Sequence, residues 1–301
     1  MKHIPVLVTD VLSILQPKSG ERIIDATFGG GGHTVAILES SNCYILGIDR
    51  DPDAMTRASK IKDKYDKNFD FITGEFSKLS ELTSEFGKFD GILFDFGMSS
   101  FQIDDPDRGF SFTKKGKLDM RMSKHGISAF DVVNSFEEKD LADIIWKYGD
   151  ESKSRKIAAE IIKSRKIAKI ETTDELRCIV QNVFKSTAIK KKHSKIDVAT
   201  KTFQSIRIFV NDELSEIDSA LRQLPQILKN GARIATISFH ALEDRIVKYW
   251  AKSNANYISS VNKSIIKPSN EEINKNPRAR SAILRGFVYN KPEAYKKTTG
   301  G

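Results

Sequence analysis

Between Arg22 and His33 the chain reads RIIDATFGGGGH. A short apolar run, Ile23 and Ile24, ends on Asp25. Four consecutive glycines follow, Gly29 to Gly32, and from His33 the segment HTVAILES has helical character. Strand, glycine loop and helix together bring backbone N–H groups and a helix N-terminus close to a ligand. Glycine reaches positive φ without strain, and it has no Cβ to hold a ligand off. Twenty residues after Gly29 a second apolar run, Tyr44 to Ile48, ends on Asp49. An acid at the tip of the next parallel strand is placed to accept hydrogen bonds from ribose hydroxyls. The glycines alone fit a plain surface turn equally well; the spaced Asp49 tips the reading toward a nucleoside cofactor.

These residues need a sheet behind them. His3 to Gln16 reads as an amphipathic lead-in helix closed by Pro17. After Asp49, Pro52 to Tyr65 reads as a helix with Asp51 as its N-cap. Phe69 to Thr73 is a third short strand, with Glu75 and Phe76 at its tip, and Leu79 to Phe86 is a helix. Asp90 to Phe96, DGILFDF, is nearly all apolar, as expected of a strand buried on both faces of a parallel sheet. This alternation indicates a doubly wound α/β sheet. It stops at Gly97 to Lys124, a polar loop too long to be an idle connection. Helical periods alone follow, with apolar faces at Leu141–Tyr148, Ile157–Ile162 and Leu176–Phe184. The pattern places an inserted all-helical domain at 105–211, between core segments 1–104 and 212–301. In the second core segment Asp212 to Leu224 is an amphipathic helix, Ala232 to Phe239 a buried strand, Asp244 to Trp250 a helix and Ser281 to Tyr289 a closing strand.

At 301 residues the chain has ample material for a core, and no apolar run approaches a membrane span. The start, MKHIPVLVTDVL, lacks a signal-peptide pattern. Cys43 and Cys178 stand far apart, so neither a disulfide framework nor a cysteine zinc site is expected. The five histidines have no ligand spacing, and no metal is predicted. A cytoplasmic setting is the default, with no membrane partner. Net charge is +9, unevenly spread. Residues 1–150 hold 19 Lys and Arg against 25 Asp and Glu, whereas residues 151–201 hold 14 against 6 and residues 261–301 hold 9 against 3. A basic block is usually a solvated face, but two blocks beside a cofactor module favour a polyanionic substrate such as nucleic acid.

Ligands of open parallel sheets lie beyond the carboxyl ends of the strands. The polar residues expected there are Asp25, the glycine loop, Asp49, Glu75 with Phe76, Asp95 with the loop to Gln102, and Ser238 to His240. Phe76 could stack on an adenine or simply plug the core. Asp95 ends the most apolar strand and needs a partner for its carboxylate; the backbone of GMSS is one choice. His240 could act in proton transfer or sit at a helix N-terminus.

DATFGGGGH, LGIDRDP, GILFDFGMSSFQIDDPDRGFSF, KLDMRM, KTFQSIRIFVNDEL, ISFHALEDRIVK and NPRARS together resemble the bacterial ribosomal small-subunit methyltransferase H family. The resemblance runs from HIPVL to NPRARS, nearly the whole chain. It implies a class I methyltransferase-like fold and S-adenosyl-L-methionine as cofactor. It also implies methylation of the exocyclic N4 of a cytidine in the decoding region of 16S rRNA, within the small ribosomal subunit. The family's cofactor-binding positions carry over as Gly31, Gly32, His33, Asp49, Phe76, Asp95 and Gln102. Phe101 stands where the family commonly has proline, and the loop begins DFGMSS rather than DLGVSS. Candidates for the catalytic group are Asp95 and His240. Many amino-methyltransferases carry a D/N/S-P-P-aromatic tetrad where this chain has DFGMSS, so the acceptor for the target amine stays open. A nicotinamide-dependent oxidoreductase shares the glycine loop and strand-end acid, but the third glycine of GxGxxG would fall at Thr34. A non-catalytic RNA-binding module is the other alternative; intact Asp49, Asp95 and glycines speak against it.

Overall fold

The computed structural model describes residues 5–185 and 197–291. In chain order the first elements are α1 (Val8–Leu15), β1 (Arg22–Asp25), α2 (Gly32–Ser40), β2 (Tyr44–Asp49), α3 (Ala54–Tyr65), β3 (Phe69–Thr73), α4 (Leu79–Leu82) and β4 (Phe89–Asp95). Helices follow: α5 (Ser100–Asp104), α6 (Ala129–Ser135), α7 (Glu138–Gly149), α8 (Ser154–Arg165), α9 (Thr173–Lys185) and α10 (Thr200–Val210). The chain then runs through α11 (Glu213–Ile227), β5 (Leu228–Ser238), α12 (Ala241–Ser253), β6 (Ile258–Ser260), α13 (Asn270–Lys275) and β7 (Ile283–Tyr289). Two compact units result, 1–97 with 214–301, and 98–213; the sequence reading put the insertion at 105–211.

The first unit is a doubly wound sheet of strand order β3-β2-β1-β4-β5-β7-β6. Strands β3 to β5 are parallel, and β7 runs antiparallel to both β5 and β6. Successive strand residues face opposite sides, so an unbroken apolar run fills two layers at once. Ile24, Leu46, Ile92 and Ile234 pack with Leu221, Leu224, Val247 and Trp250 on one face. Ile23, Ile45, Leu93 and Ala235 pack with Ile14, Ile37, Ala58 and Ile61 on the other. The chain starts at β1, winds out to β3, and returns to place β4 on the other side of β1. The switch point therefore lies between the ends of β1 and β4, where Asp25 and Asp95 emerge.

Several expectations about this unit need correction. The lead-in helix starts only at Val8, because Leu7 takes a left-handed φ of 53°. The helix expected over Leu79–Phe86 breaks after one turn. Thr83 is buried with its Oγ1 donating to Leu79 O at 2.7 Å, and Gly87 at φ 68° turns the chain into β4. Asp51 does not cap α3 directly; its Oδ1 accepts the Asp53 N–H at 3.1 Å, just ahead of the first helical residue.

The second unit packs α6 to α10 around Leu118, Val132, Leu141, Ile145, Ile157, Ile161, Leu176, Val180 and Ile206. The long polar stretch at its start is pinned by buried polar groups. Arg108 donates from one terminal nitrogen to Arg121 O and Met122 O, at 3.0 and 2.9 Å. Asn211 accepts the Met122 N–H at 2.8 Å and donates to Met120 O at 2.7 Å. These bonds satisfy the backbone of KLDMRM in the absence of a ladder.

Candidate functional site

The glycine loop is tied to β2 by the acid at its tip. Asp49 accepts the Gly29 N–H on Oδ2 at 2.6 Å and the Asp51 N–H on Oδ1 at 2.8 Å. Arg57, on α3, donates from Nε to Gly29 O at 2.8 Å. Burial pushes the Asp49 carboxyl up to about 6, although the Asp51 and Gly29 N–H groups and the Arg57 charge pull the other way. Each carboxylate oxygen retains a second lone pair, so Asp49 organises the loop and still offers acceptors to a ligand.

The glycines themselves serve packing more than ligand approach. Gly31 has φ 74°, and a Cβ there would fall 2.3 Å from Ile61 Cδ1 and 2.8 Å from the Phe28 ring. At Gly32 a Cβ would meet Pro5 Cγ at 2.7 Å. Neither missing side chain opens space toward a ligand; each lets α2 close on its neighbours. The first turn of α2 carries N–H groups that have no intrahelical acceptor.

His33 and Asp95 meet at the switch point. His33 is buried, and its Nε2 lies 3.6 Å from Asp95 Oδ2. Neither ring nitrogen of His33, nor Asp95 Oδ1, has a hydrogen-bond partner among the described residues. The GMSS backbone thus gives that oxygen no cap; Thr27 Oγ1 instead accepts the Asp95 N–H at 2.6 Å. Asp25 lies beneath them, almost wholly buried, accepting from Thr34 Oγ1 at 2.7 Å and from the Thr27 N–H at 3.3 Å. Burial raises its pKa, against the opposing pull of His33 and Thr34. An unpaired buried polar group costs about 1–3 kcal/mol. A cationic ligand with N–H donors is the kind of partner that would satisfy this cluster.

Phe76 opens a short turn after β3 and is partly buried, its ring edge-on to Phe94 at 6.0 Å and tilted to Phe96 at 6.2 Å. The core-plug reading of Phe76 is borne out, as a partly buried ring packed against the sheet core. In the helical unit, Gln102 forms a capping box with Ser99, accepting the Ser99 N–H at 3.0 Å while Ser99 Oγ accepts the Gln102 N–H at 3.3 Å. The S-x-x-Q spacing of Ser99 and Gln102 is the signal for that cap in the sequence. His240 is the N-cap of α12, its Nδ1 accepting the Glu243 N–H at 3.4 Å. Its Nε2 lies 2.9 Å from Oε1 of the fully buried Glu243. With both nitrogens turned to Glu243, capping describes His240 better than proton transfer to substrate. Arg57, Thr27 and Thr34 were not singled out from sequence. Asp25 was expected there, as a third strand-terminal acid beside Asp49 and Asp95.

In the helical unit the basic block has a defined face on α8. Arg155, Lys156 and Lys163 are exposed while Ile157, Ala158 and Ile161 are buried. Lys190, Lys191 and Lys192, the most concentrated part of that block, lie outside the described residues.

The sequence pattern of the MraW methylase family matches residues 1–289. Ribosomal RNA small subunit methyltransferase H of Rickettsia africae (strain ESF-5) is 45% identical, over 94% of this chain and 96% of its own length. The protein of the same name from Rickettsia bellii (strain RML369-C) is also 45% identical, over 94% of this chain and 97% of its own. Among solved structures, an rRNA methylase from Streptococcus thermophilus aligns with TM-score 0.43 and 10% identity, covering 94% of this chain and 93% of its own.

Proposed function

From the premise that the chain belongs to the MraW methylase family, we propose the division of labour by which it methylates rRNA. It is an S-adenosylmethionine-dependent methyltransferase of class I fold, acting on the N4 amine of a cytidine in 16S rRNA. Neither a nicotinamide oxidoreductase nor a non-catalytic module fits that membership. When bound, the cofactor supplies an electrophilic methyl group on a sulfonium. The observation that carries the assignment of the site is the unpaired set of buried polar atoms on His33 and Asp95.

In this reading Asp49 accepts from the ribose hydroxyls and Phe76 flanks the adenine. The α2 N-terminus at Gly31, Gly32 and His33 receives the amino-acid end. Asp95 sets a negative charge beside the sulfonium, and Gln102 joins these residues by family resemblance. Methyl transfer needs alignment more than covalent help, and alignment is what a rigid strand-end site provides. The cytosine amine is a poor nucleophile because its lone pair is delocalised into the ring. Asp95 is the acceptor we favour for its N–H as attack begins, and the base must leave its stack to reach it. His240 acts through the α12 cap.

The helical unit docks RNA, with the basic face of α8 and the Lys190–Lys192 run supplying phosphate contacts. The partner is 16S rRNA within the small ribosomal subunit, in the cytoplasm. No helix among the described residues is long and apolar enough to cross a membrane. The test is transfer of labelled methyl groups to small subunits lacking the modification, beside deproteinised 16S rRNA. Label entering the subunits supports the reading, and label entering neither overturns it.

A further inference from the structure

The turn that carries Phe76 is held from outside the sheet. Glu216, on α11, accepts from Ser77 twice: from the N–H on Oε2 at 3.3 Å and from Oγ on Oε1 at 2.8 Å. Two helical turns on, Gln223 donates from Nε2 to Ser77 O and accepts the Ser80 N–H on Oε1 at 2.8 Å. Gln226 adds one more bond, accepting from Ser80 Oγ at 2.9 Å. Positions 216, 223 and 226 lie on one face of a helix, so a single stripe of α11 grips the backbone of 77–80. The neighbouring stripe, Ile217, Ala220, Leu221 and Leu224, is buried in the sheet core, which fixes the helix.

Nothing about the turn itself explains such a grip. It is one 3₁₀ turn followed by one α turn, with no side-chain cap at either start. Its own ladder is too short to set where the Phe76 ring stands. We infer that Glu216 and Gln223 are positioning residues for the cofactor: by holding Ser77 they fix the Phe76 ring at the adenine edge. The ionisable member is Glu216, whose pKa is raised on balance, chiefly by burial. Arg50 faces it and also binds Glu75, through one terminal nitrogen 3.1 Å from Oε1. Burial and the Glu75 charge raise its pKa, while the Ser77 bonds and Arg50 lower it. The helix bearing the grip comes from a part of the sequence more than 130 residues away from Phe76, which is why no local motif announces it.

This inference rests on Phe76 flanking the adenine, and a double-mutant cycle keeps the two apart. Binding of S-adenosylhomocysteine is measured by calorimetry for wild type, Phe76→Ala, Glu216→Ala and the double variant, with Glu216→Gln as a variant that keeps one acceptor for Ser77. Glu216→Ala should weaken binding roughly tenfold, Glu216→Gln by less, and Glu216→Ala should add nothing once Phe76 is gone. At saturating cofactor kcat should hold, so that the loss appears in the cofactor KM. Wild-type binding by Glu216→Ala, or losses that simply add in the double variant, would overturn the inference. If Phe76→Ala alone binds normally, the adenine assignment of Phe76 fails first and the inference falls with it. Melting temperatures of the four proteins, and the milder glutamine variant, separate loss of position from loss of fold.

Discussion

Asp49 can be tested with two substitutions and a pH series. Alanine removes the charge-assisted contact to the ribose, worth about 1.5–3 kcal/mol, or roughly 10- to 150-fold in Kd. It also releases the Gly29 and Asp51 N–H groups that the carboxylate holds at 2.6 and 2.8 Å, so the upper end of that range is expected. Asparagine keeps the shape but turns an amide N–H toward one of those donors. The carboxyl of the free protein is pushed up to about 6 by burial. A ligand that pairs with the carboxylate must displace its proton, so affinity is flat above that pH and weakens below it. The limiting slope is about tenfold per pH unit. Calorimetry with S-adenosylhomocysteine from pH 5 to 8 should show this bend in wild type and lose it in Asp49→Asn. The other ionisable groups of the site are common to both proteins, so the difference between the profiles reports Asp49. Unchanged affinity in both variants, or the same bend in Asp49→Asn, would refute the assignment.

Asp95→Asn should lower affinity for the sulfonium cofactor more than for its thioether product, and lower turnover with it; wild-type turnover would remove Asp95 from both of its proposed roles. Gly31→Ala places a Cβ 2.3 Å from Ile61 at φ 74°, and should cost about 1–3 kcal/mol in denaturant unfolding. A neutral result there would mean that the loop relaxes freely. Replacing Lys190, Lys191 and Lys192 with glutamine should flatten the slope of log affinity against log salt by up to roughly two units on the RNA substrate, leaving cofactor affinity alone. An unchanged slope would return the lysine run to a solvated face and move attention to 261–301.

The sheet was readable because its signal is dense. Strands β1, β2 and β4 each carry an apolar run, Ile23–Ile24, Ile45–Ile48 and Ile92–Phe94, and each ends on an acid at its carboxyl end. Segments with diluted signals were not read. Helix α10 buries Thr202 and Ser205 beside Phe203 and Ile206, so its inward face does not look apolar in sequence. Strand β6 has three residues, two of them exposed serines, and exists only by pairing with β7. Helices α6 and α13 are two turns or less, below the length at which periodicity shows. At the site, residue types were legible and reasons were not. The missing Cβ atoms of Gly31 and Gly32 looked like room for a ligand and instead make room for Ile61, Phe28 and Pro5. The meeting of His33 and Asp95 depends on β1 and β4 being neighbours, which only the topology supplies.

The central claim is that the nucleophile is the exocyclic amine of a cytidine in 16S rRNA. Small subunits lacking the modification should be incubated with the protein and S-adenosylmethionine, and their rRNA digested to nucleosides and resolved by mass spectrometry. The account predicts one new species, N4-methylcytidine, strongly reduced at limiting cofactor when Asp49→Ala replaces the wild type. A methyl group found on cytosine C5, on a ribose 2′ oxygen or on another base would contradict it.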